Sequence, residues 1–331
     1  LNNARWEHTE SLLKDGKVLV TGGFNDNGFV KTAELYDPST ETWTLTGSLN
    51  HVRSRHTASL LPDGKVLVAG GDYPDGFLNS AELYDPSTGT WTMTGSMKYS
   101  RYEHTEIVLT NGKVLVIGGL HEVTAVSNAE LYDPSTGTWT MTGSMKHARH
   151  DNTASLLKDG KVLVASGYNG NEFLKSAELY DPSTETWTIT GSMNHAQWAH
   201  TASVLKNGKV LVAGGDNNTS ILKNAELYDP LTGNWTITGK LNSARSIHTA
   251  TVLTTGKVLV AGGKGTTNFG INSTELYDPS TETWTTVDSM NFKRISHTAS
   301  LLTNGEVLVA GGNFNQTTLK SAELYSSSEI N

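Results

Sequence analysis

The chain contains no cysteine among its 331 residues, which removes disulfides, thiolate metal sites and Cys nucleophiles together. Proline is sparse, at 8 residues, and charged residues make up only 18%, so neither a collagen-like nor a charge-driven disordered chain fits. The formal charge of −8, with no basic stripe, argues against nucleic acid as a partner. No apolar run approaches the ~18 residues of a membrane helix, so no insertion into a membrane is expected. The opening "LNNARWEHTE" is not a signal peptide, and because it does not begin with Met it leaves room for residues upstream.

Glycine, by contrast, is abundant, at 33 residues, and it is periodic. Gly pairs fall at Gly22-Gly23, Gly70-Gly71, Gly118-Gly119, Gly214-Gly215, Gly262-Gly263 and Gly311-Gly312, with Ser166-Gly167 in the remaining register. The step is 48 residues five times and 49 once. Leu-Tyr pairs from Leu35-Tyr36 to Leu324-Tyr325 keep the same step, as do Trp43, Trp91, Trp139, Trp187, Trp235 and Trp284.

Each unit reads as four short strands. "HTASLL" alternates in polarity, and "KVLVAGG" is a continuous apolar run covered on both faces. "AELYDP" ends in a turn signal, and "TWTMTG" carries β-branched and aromatic residues. Asp63-Gly64 between the first two strands predicts a two-residue type I′ turn. A four-stranded antiparallel unit of this length, with Gly-Gly after strand two and Trp in strand four, resembles the kelch repeat.

That resemblance spans essentially residues 1–331 as a single domain and implies an all-β, seven-bladed β-propeller. The last copy, "AELYSSSEIN", lacks its Trp strand, so blade seven is expected to lack a fourth strand in this chain. Residues 1–8 match the stretch that follows the Trp strand elsewhere, so a Trp-bearing strand upstream of Leu1 is expected to pair with residues 322–326. Without it, the edge of blade seven would be free to pair between copies; otherwise a monomer is expected.

Residues identical in every copy read as scaffold. The six repeat Trps read as blade-to-blade packing, and the Gly pairs as positions of positive φ or close approach. His8, His56, His104, His200, His248 and His297 are expected to satisfy backbone groups within their own blades, with Asn152 imitating them in blade four. Arg5, Arg53, Arg101, Arg149, Arg245 and Arg294 read the same way, although an arginine near a channel mouth could also hold an acidic ligand. Gln197 interrupts that set.

Divergence concentrates in the 2–3 and 4–1 loops, which share one face, whereas the 1–2 and 3–4 turns are nearly constant. The two residues before the strand-one His vary most, and Trp6 and Trp198, the only Trps outside the repeat, lie there. The candidate ligand-binding residues on this face are Trp6, Glu7, Arg55, Tyr73, Tyr102, Glu103, His121, His150, Asp151, Tyr168 and Trp198. Kelch propellers commonly grip peptide segments with this face, so the resemblance implies a non-catalytic module for a protein or peptide; a glycan stacked on the aromatics is the alternative.

A galactose-oxidase-like or other kelch-type enzyme is a further alternative. The resemblance implies a copper site with a Tyr cross-linked to Cys, which a chain without Cys cannot form. His147, His150 and Asp151 could bind a divalent metal, but His147 has counterparts at His51 and His195, so no metal, cofactor or catalytic residue is assigned. Absence of Cys and the triplets at Asn217, Asn234, Asn272 and Asn315 are compatible with secretion.

Overall fold

The computed structural model describes residues 1–326. There are no helices among them. Six four-stranded antiparallel sheets and one three-stranded sheet follow one another in the chain as the blades of a seven-bladed β-propeller. By their contacts the residues divide into two compact units. The first contains blades seven, one, two and three, and the second contains blades four, five and six.

Blade two represents the first unit. Its strands are Thr57–Leu60, Val66–Ala69, Ala81–Asp85 and Thr90–Met93, paired in that order. Strand two is buried at all four positions, as its unbroken apolar run requires, because sheets pack against both of its faces. Val66, Val68, Tyr84 and Trp91 pack against Leu13, Leu19, Ala33 and Leu49 of blade one, forming an inter-blade core. The indole of Trp91 also donates to the carbonyl of Gly47 at the end of blade one, 2.9 Å away. The same bond runs from Trp139 to Gly95 and, in the second unit, from Trp187 to Gly143 and Trp235 to Gly191. The repeat Trps are therefore blade-to-blade packing residues, and those of blades two to six have their polar edge satisfied.

The 1–2 turn is not type I′. Leu61 N–H donates to the Lys65 carbonyl and Gly64 N–H to the Leu61 carbonyl, enclosing a three-residue loop. Only Gly64 has positive φ, at 93°, and the Asp63 carboxylate instead accepts the Lys65 N–H at 3.0 Å. This is a type I turn closed by a left-handed glycine, so the Asp side chain, not its backbone, supplies the special geometry.

The strand-one histidines also depart from the expectation. Where their bonds are seen they cross to the preceding blade: His56 Nε2 meets Thr9 Oγ1 at 2.9 Å, and His104 meets Thr57 at 2.8 Å. In the second unit His200 meets Thr153 and His248 meets Thr201, each at 3.0 Å. First strands of consecutive blades lie side by side within each unit, which brings the preceding blade's Thr within reach. The close packing explains Gly22: a Cβ there would lie 2.6 Å from the Arg53 carbonyl and 2.7 Å from the His56 ring, and its φ is +65°.

Blade seven has strands Thr298–Leu301, Val307–Ala310 and Ala322–Tyr325, and residues 327–331 lie outside the described residues. Leu324, in its third strand, is 36% exposed, whereas Leu131 at the same register of blade three is 4% exposed. The N-terminal amine of Leu1 donates to the Lys320 carbonyl at 3.1 Å, as Leu49 N–H does to Lys31, so residues 1–8 run into blade one in the repeat register.

Candidate functional site

The invariant arginines are not at a surface. Arg53 is fully buried; its guanidinium donates to the carbonyls of Gly70 and Ser80 at 2.7 and 3.1 Å and pairs with Glu82 at 3.0 Å. Burial pulls Arg53 down from its usual range, against the stabilising effect of Glu82. Burial would likewise raise the Glu82 pKa, but N–H groups of Asn50 and His51, together with Arg53, outweigh it and hold the carboxyl below its usual range. Arg5–Glu34, Arg101–Glu130, Arg149–Glu178 and Arg245–Glu275 repeat the pair at 2.7–3.0 Å. These residues are scaffold, and none is free to hold an acidic ligand.

The residue just before each strand-one His (or Asn152) has an unusual backbone. Glu7, Arg55, Glu103, Asp151, Ala199, Ile247 and Ser296 all have φ between 49° and 52°. A non-glycine residue rarely adopts this conformation, and a β-branched Ile rarely of all. The compensation is a ladder of backbone bonds. In the first unit Glu7 N–H donates to the Ser296 carbonyl at 3.2 Å, Arg55 to Glu7 at 3.1 Å and Glu103 to Arg55 at 3.4 Å. Ile247 donates to Ala199 at 3.0 Å in the second. Each 4–1 connection also bridges to the start of its own 2–3 loop, as in Trp6 with Phe24, Ser54 with Asp72 and Trp198 with Asp216. The most divergent side chains thus stand on a ledge fixed by backbone bonds that do not depend on their identity.

In the first unit Arg55 is the hub of this ledge. Its guanidinium lies 2.5 Å from Asp72, 2.8 Å from Glu103 and 3.5 Å from Glu7, and 5.0 Å from the centre of the Tyr102 ring. Burial works against its charge, but the three carboxylates outweigh it and hold Arg55 above its usual range. Tyr102 stacks on Phe77 with centroids 4.5 Å apart and planes 8° from parallel. Trp6 meets Phe24 edge-on at 5.9 Å, and Phe24 meets Phe29 at 5.1 Å. Tyr73 is half-buried in the hairpin of the same 2–3 loop as Phe77. His121 turns aside to Ser100, 3.0 Å away, and to the ring of Tyr99.

In the second unit the aromatics form a run. His150 meets Tyr168 edge-on at 5.6 Å, Tyr168 stacks on Phe173 at 4.7 Å, and Phe173 lies 6.4 Å from Trp198. His150 Nδ1 is 3.0 Å from the Asp151 carboxylate. His147 is directed to Glu178, 3.4 Å away, and so serves the scaffold. The sequence reading omitted Phe24, Phe29, Phe77, Phe173 and Asp72. A signal existed for three of them: Phe29, Phe77 and Phe173 share one repeat register.

The opposite face carries grooves between adjacent blades. One is lined by Lys14, Asp15, Asp63, Lys65 and Asp85, another by Lys158, Asp159, Lys209, Asp229 and Leu231. Apart from Leu231 they are built of turns repeated from blade to blade, so they offer little that distinguishes one blade from another.

A kelch-repeat domain model described as KLHDC2/KLHL20/DRC7 matches residues 104–312, and a kelch motif model matches residues 10–50 and 53–98. No curated protein matches the chain by sequence. Among solved structures the chain is similar to a novel fungal alcohol oxidase of the AA5 family, in complex with copper. The TM-score is 0.81 at 20% identity, over 99% of this chain and 76% of that one. At that identity the likeness speaks to the fold alone. The repeat, its blades and the match over residues 104–312 agree: the chain belongs to the kelch-repeat β-propeller family.

Proposed function

We propose that the chain is a non-catalytic binding module that takes a protein or peptide on the ledge of 4–1 and 2–3 loops. The observation that carries this reading is the pairing of divergence with order. The Arg55–Tyr102–Phe77 stack and the Tyr168–Phe173–Trp198 run are each assembled from loops of two adjacent blades. Aromatic anchors held in place before binding lose little freedom on binding, which is the property of interface hot spots. The carboxylates around Arg55 add electrostatic complementarity that a peptide can match and a neutral sugar cannot. The stacked rings of Tyr168 and Phe173, 4.7 Å apart, support a glycan as the second reading. The copper chemistry of the AA5 relative is not carried over, because a Cys-Tyr cofactor needs a cysteine and this chain has none.

Affinity capture tests the proposal, with Arg55→Ala and Trp198→Ala as single variants and mass spectrometry as the readout. A protein retained by the wild type and lost by a correctly folded variant is the expected result. Equal retention by all three proteins would sink the assignment of this face, and saturable binding of an oligosaccharide array would move the reading to a glycan.

A further inference from the structure

Blade five breaks the buried arginine layer. In blade four, Arg149 donates to the carbonyls of Ser166 and Ser176 at 2.8 and 2.9 Å, to Ser176 Oγ at 3.0 Å and to Glu178 at 3.0 Å. The corresponding groups of blade five, 48 residues on, are the carbonyls of Gly214 and Asn224, the Asn224 side chain and Glu226. The residue that should serve them is Gln197, which is 1% exposed. Its amide is shorter than a guanidinium and carries no charge, and its Oε1 is buried without a hydrogen-bond partner.

Glu226 is also 1% exposed, and it lacks the guanidinium that neutralises its counterparts. It keeps the N–H of Asn194 at 2.8 Å, the Asn194 side chain at 2.9 Å and the N–H of His195 at 2.9 Å. The neighbouring imidazole responds to the difference. His195 Nδ1 lies 2.9 Å from Glu226, whereas His147 is 3.4 Å from Glu178 and His51 is 3.8 Å from Glu82, where the arginine is present. The imidazole of His195 is 39% exposed and reaches the carboxylate from the loop. It does not replace the donors that the arginine gives to the two carbonyls.

We infer that blade five binds a hard metal cation, of the alkali or alkaline-earth group, in place of the guanidinium. In the register that holds the Arg149 guanidinium in blade four, blade five offers oxygen: the Glu226 carboxylate and the carbonyls of Gly214 and Asn224, to which the unpartnered Gln197 Oε1 adds. Such a set of one carboxylate and neutral carbonyls suits Na⁺, K⁺ or Ca²⁺ rather than a thiophilic or imidazole-seeking metal. A bound cation would neutralise the buried carboxylate and satisfy the Gln197 oxygen in one step.

The test is thermal unfolding of the whole chain at constant ionic strength, with tetramethylammonium chloride exchanged for NaCl, KCl or CaCl₂. The expected result is a saturable rise in melting temperature with at least one metal. Gln197→Arg, which restores the tethered cation of the other blades, should raise the melting temperature in metal-free buffer and weaken the metal response at least tenfold in apparent affinity. Should that variant misfold, Glu226→Gln should fold and lose the response. A wild type indifferent to all three metals overturns the inference, as does a response that persists undiminished in Glu226→Gln. A melting temperature governed only by pH, with that dependence abolished in His195→Gln, would make His195 the counter-charge and likewise overturn it.

Discussion

Arg53 and Arg55 stand two residues apart in the connection into blade two, and their surroundings differ in kind. Arg53 is wholly buried, bonded to two carbonyls and Glu82, and repeated in five other blades. Arg55 has a third of its side chain exposed, is held by Asp72, Glu103 and Glu7, and has no arginine counterpart in any blade. The backbone carries both at once because the residue before His56 takes a left-handed conformation, turning one side chain out within two residues of a buried one. Repetition marks the residue that builds the blade. Singularity marks the residue to which the proposed function assigns a ligand.

Substitution by methionine should separate the two most sharply. Arg53→Met leaves Glu82 buried without its partner and should cost ~3–5 kcal/mol, measured by urea unfolding. Arg55→Met removes partly exposed ion pairs and should change stability by no more than about 1 kcal/mol. Its effect belongs on ligand retention instead. Comparable losses of stability in both variants would break the comparison.

A second contrast lies within the strand-one layer. Blades one and three carry Glu10 and Glu106 where the other five have Ala. Each accepts a hydroxyl of the preceding blade, Thr298 for Glu10 and Thr57 for Glu106. Burial, only partly offset by these hydroxyls, pushes both carboxyls up to about 7. Burial also pushes His104 and His200 down to about 3, and His8 and His56 well below the usual imidazole range. The signs oppose. The fold favours neutral imidazole, so the stability tied to the histidines is present above about pH 6.5 and is lost as pH falls. The fold favours protonated Glu10 and Glu106, so their contribution is full below about pH 4.5 and is lost as pH rises through about 7. Four histidines outweigh two carboxylates, and stability should fall between pH 6.5 and 5. Glu10→Gln with Glu106→Gln removes the opposing contribution and should steepen that fall, by an amount on the order of 1–2 kcal/mol. A profile that does not steepen in the double variant would show that the carboxylates are ionised in the fold.

Much of this was legible from the period alone. The Gly-Gly, Leu-Tyr and Trp registers fix where strands begin and end, and a buried strand announces itself in "KVLV". The loop face was legible too, because divergence in a repeat needs no alignment to be seen. The left-handed ledge was not: Trp-Glu, Ser-Arg and Ser-Ile contain no glycine or asparagine, and the conformation is imposed by carbonyls of the neighbouring blade. The partners of Arg55 were hidden for the same reason, since Glu7 and Glu103 are each 48 residues away and meet it only once blades stand side by side. The His–Thr bonds are not visible in the sequence because a repeated residue suggests a partner within its own repeat, whereas packing gives it one in the preceding blade.

The smallest test lies in the 3–4 turn, the most nearly constant part of the chain. In blade two Ser87 donates its hydroxyl to Asp85 at 2.6 Å, and Ser39, Ser135, Ser183 and Ser280 do the same for their own turn aspartates. That hydroxyl is the leading cause holding Asp85 below the usual carboxylate range. Blade five has Leu231 instead, 95% exposed, with only its backbone N–H on Asp229, at 3.0 Å. Leu231→Ser should supply the missing hydroxyl donor to the Asp229 carboxylate, seen by NMR as a change in the chemical shift of its carboxyl carbon, while leaving the unfolding transition almost unmoved. An unchanged Asp229 would mean that the turn of blade five differs from its siblings in more than one side chain. A change in ligand retention would carry more weight, because it would place recognition on the turn face and not on the ledge around Arg55.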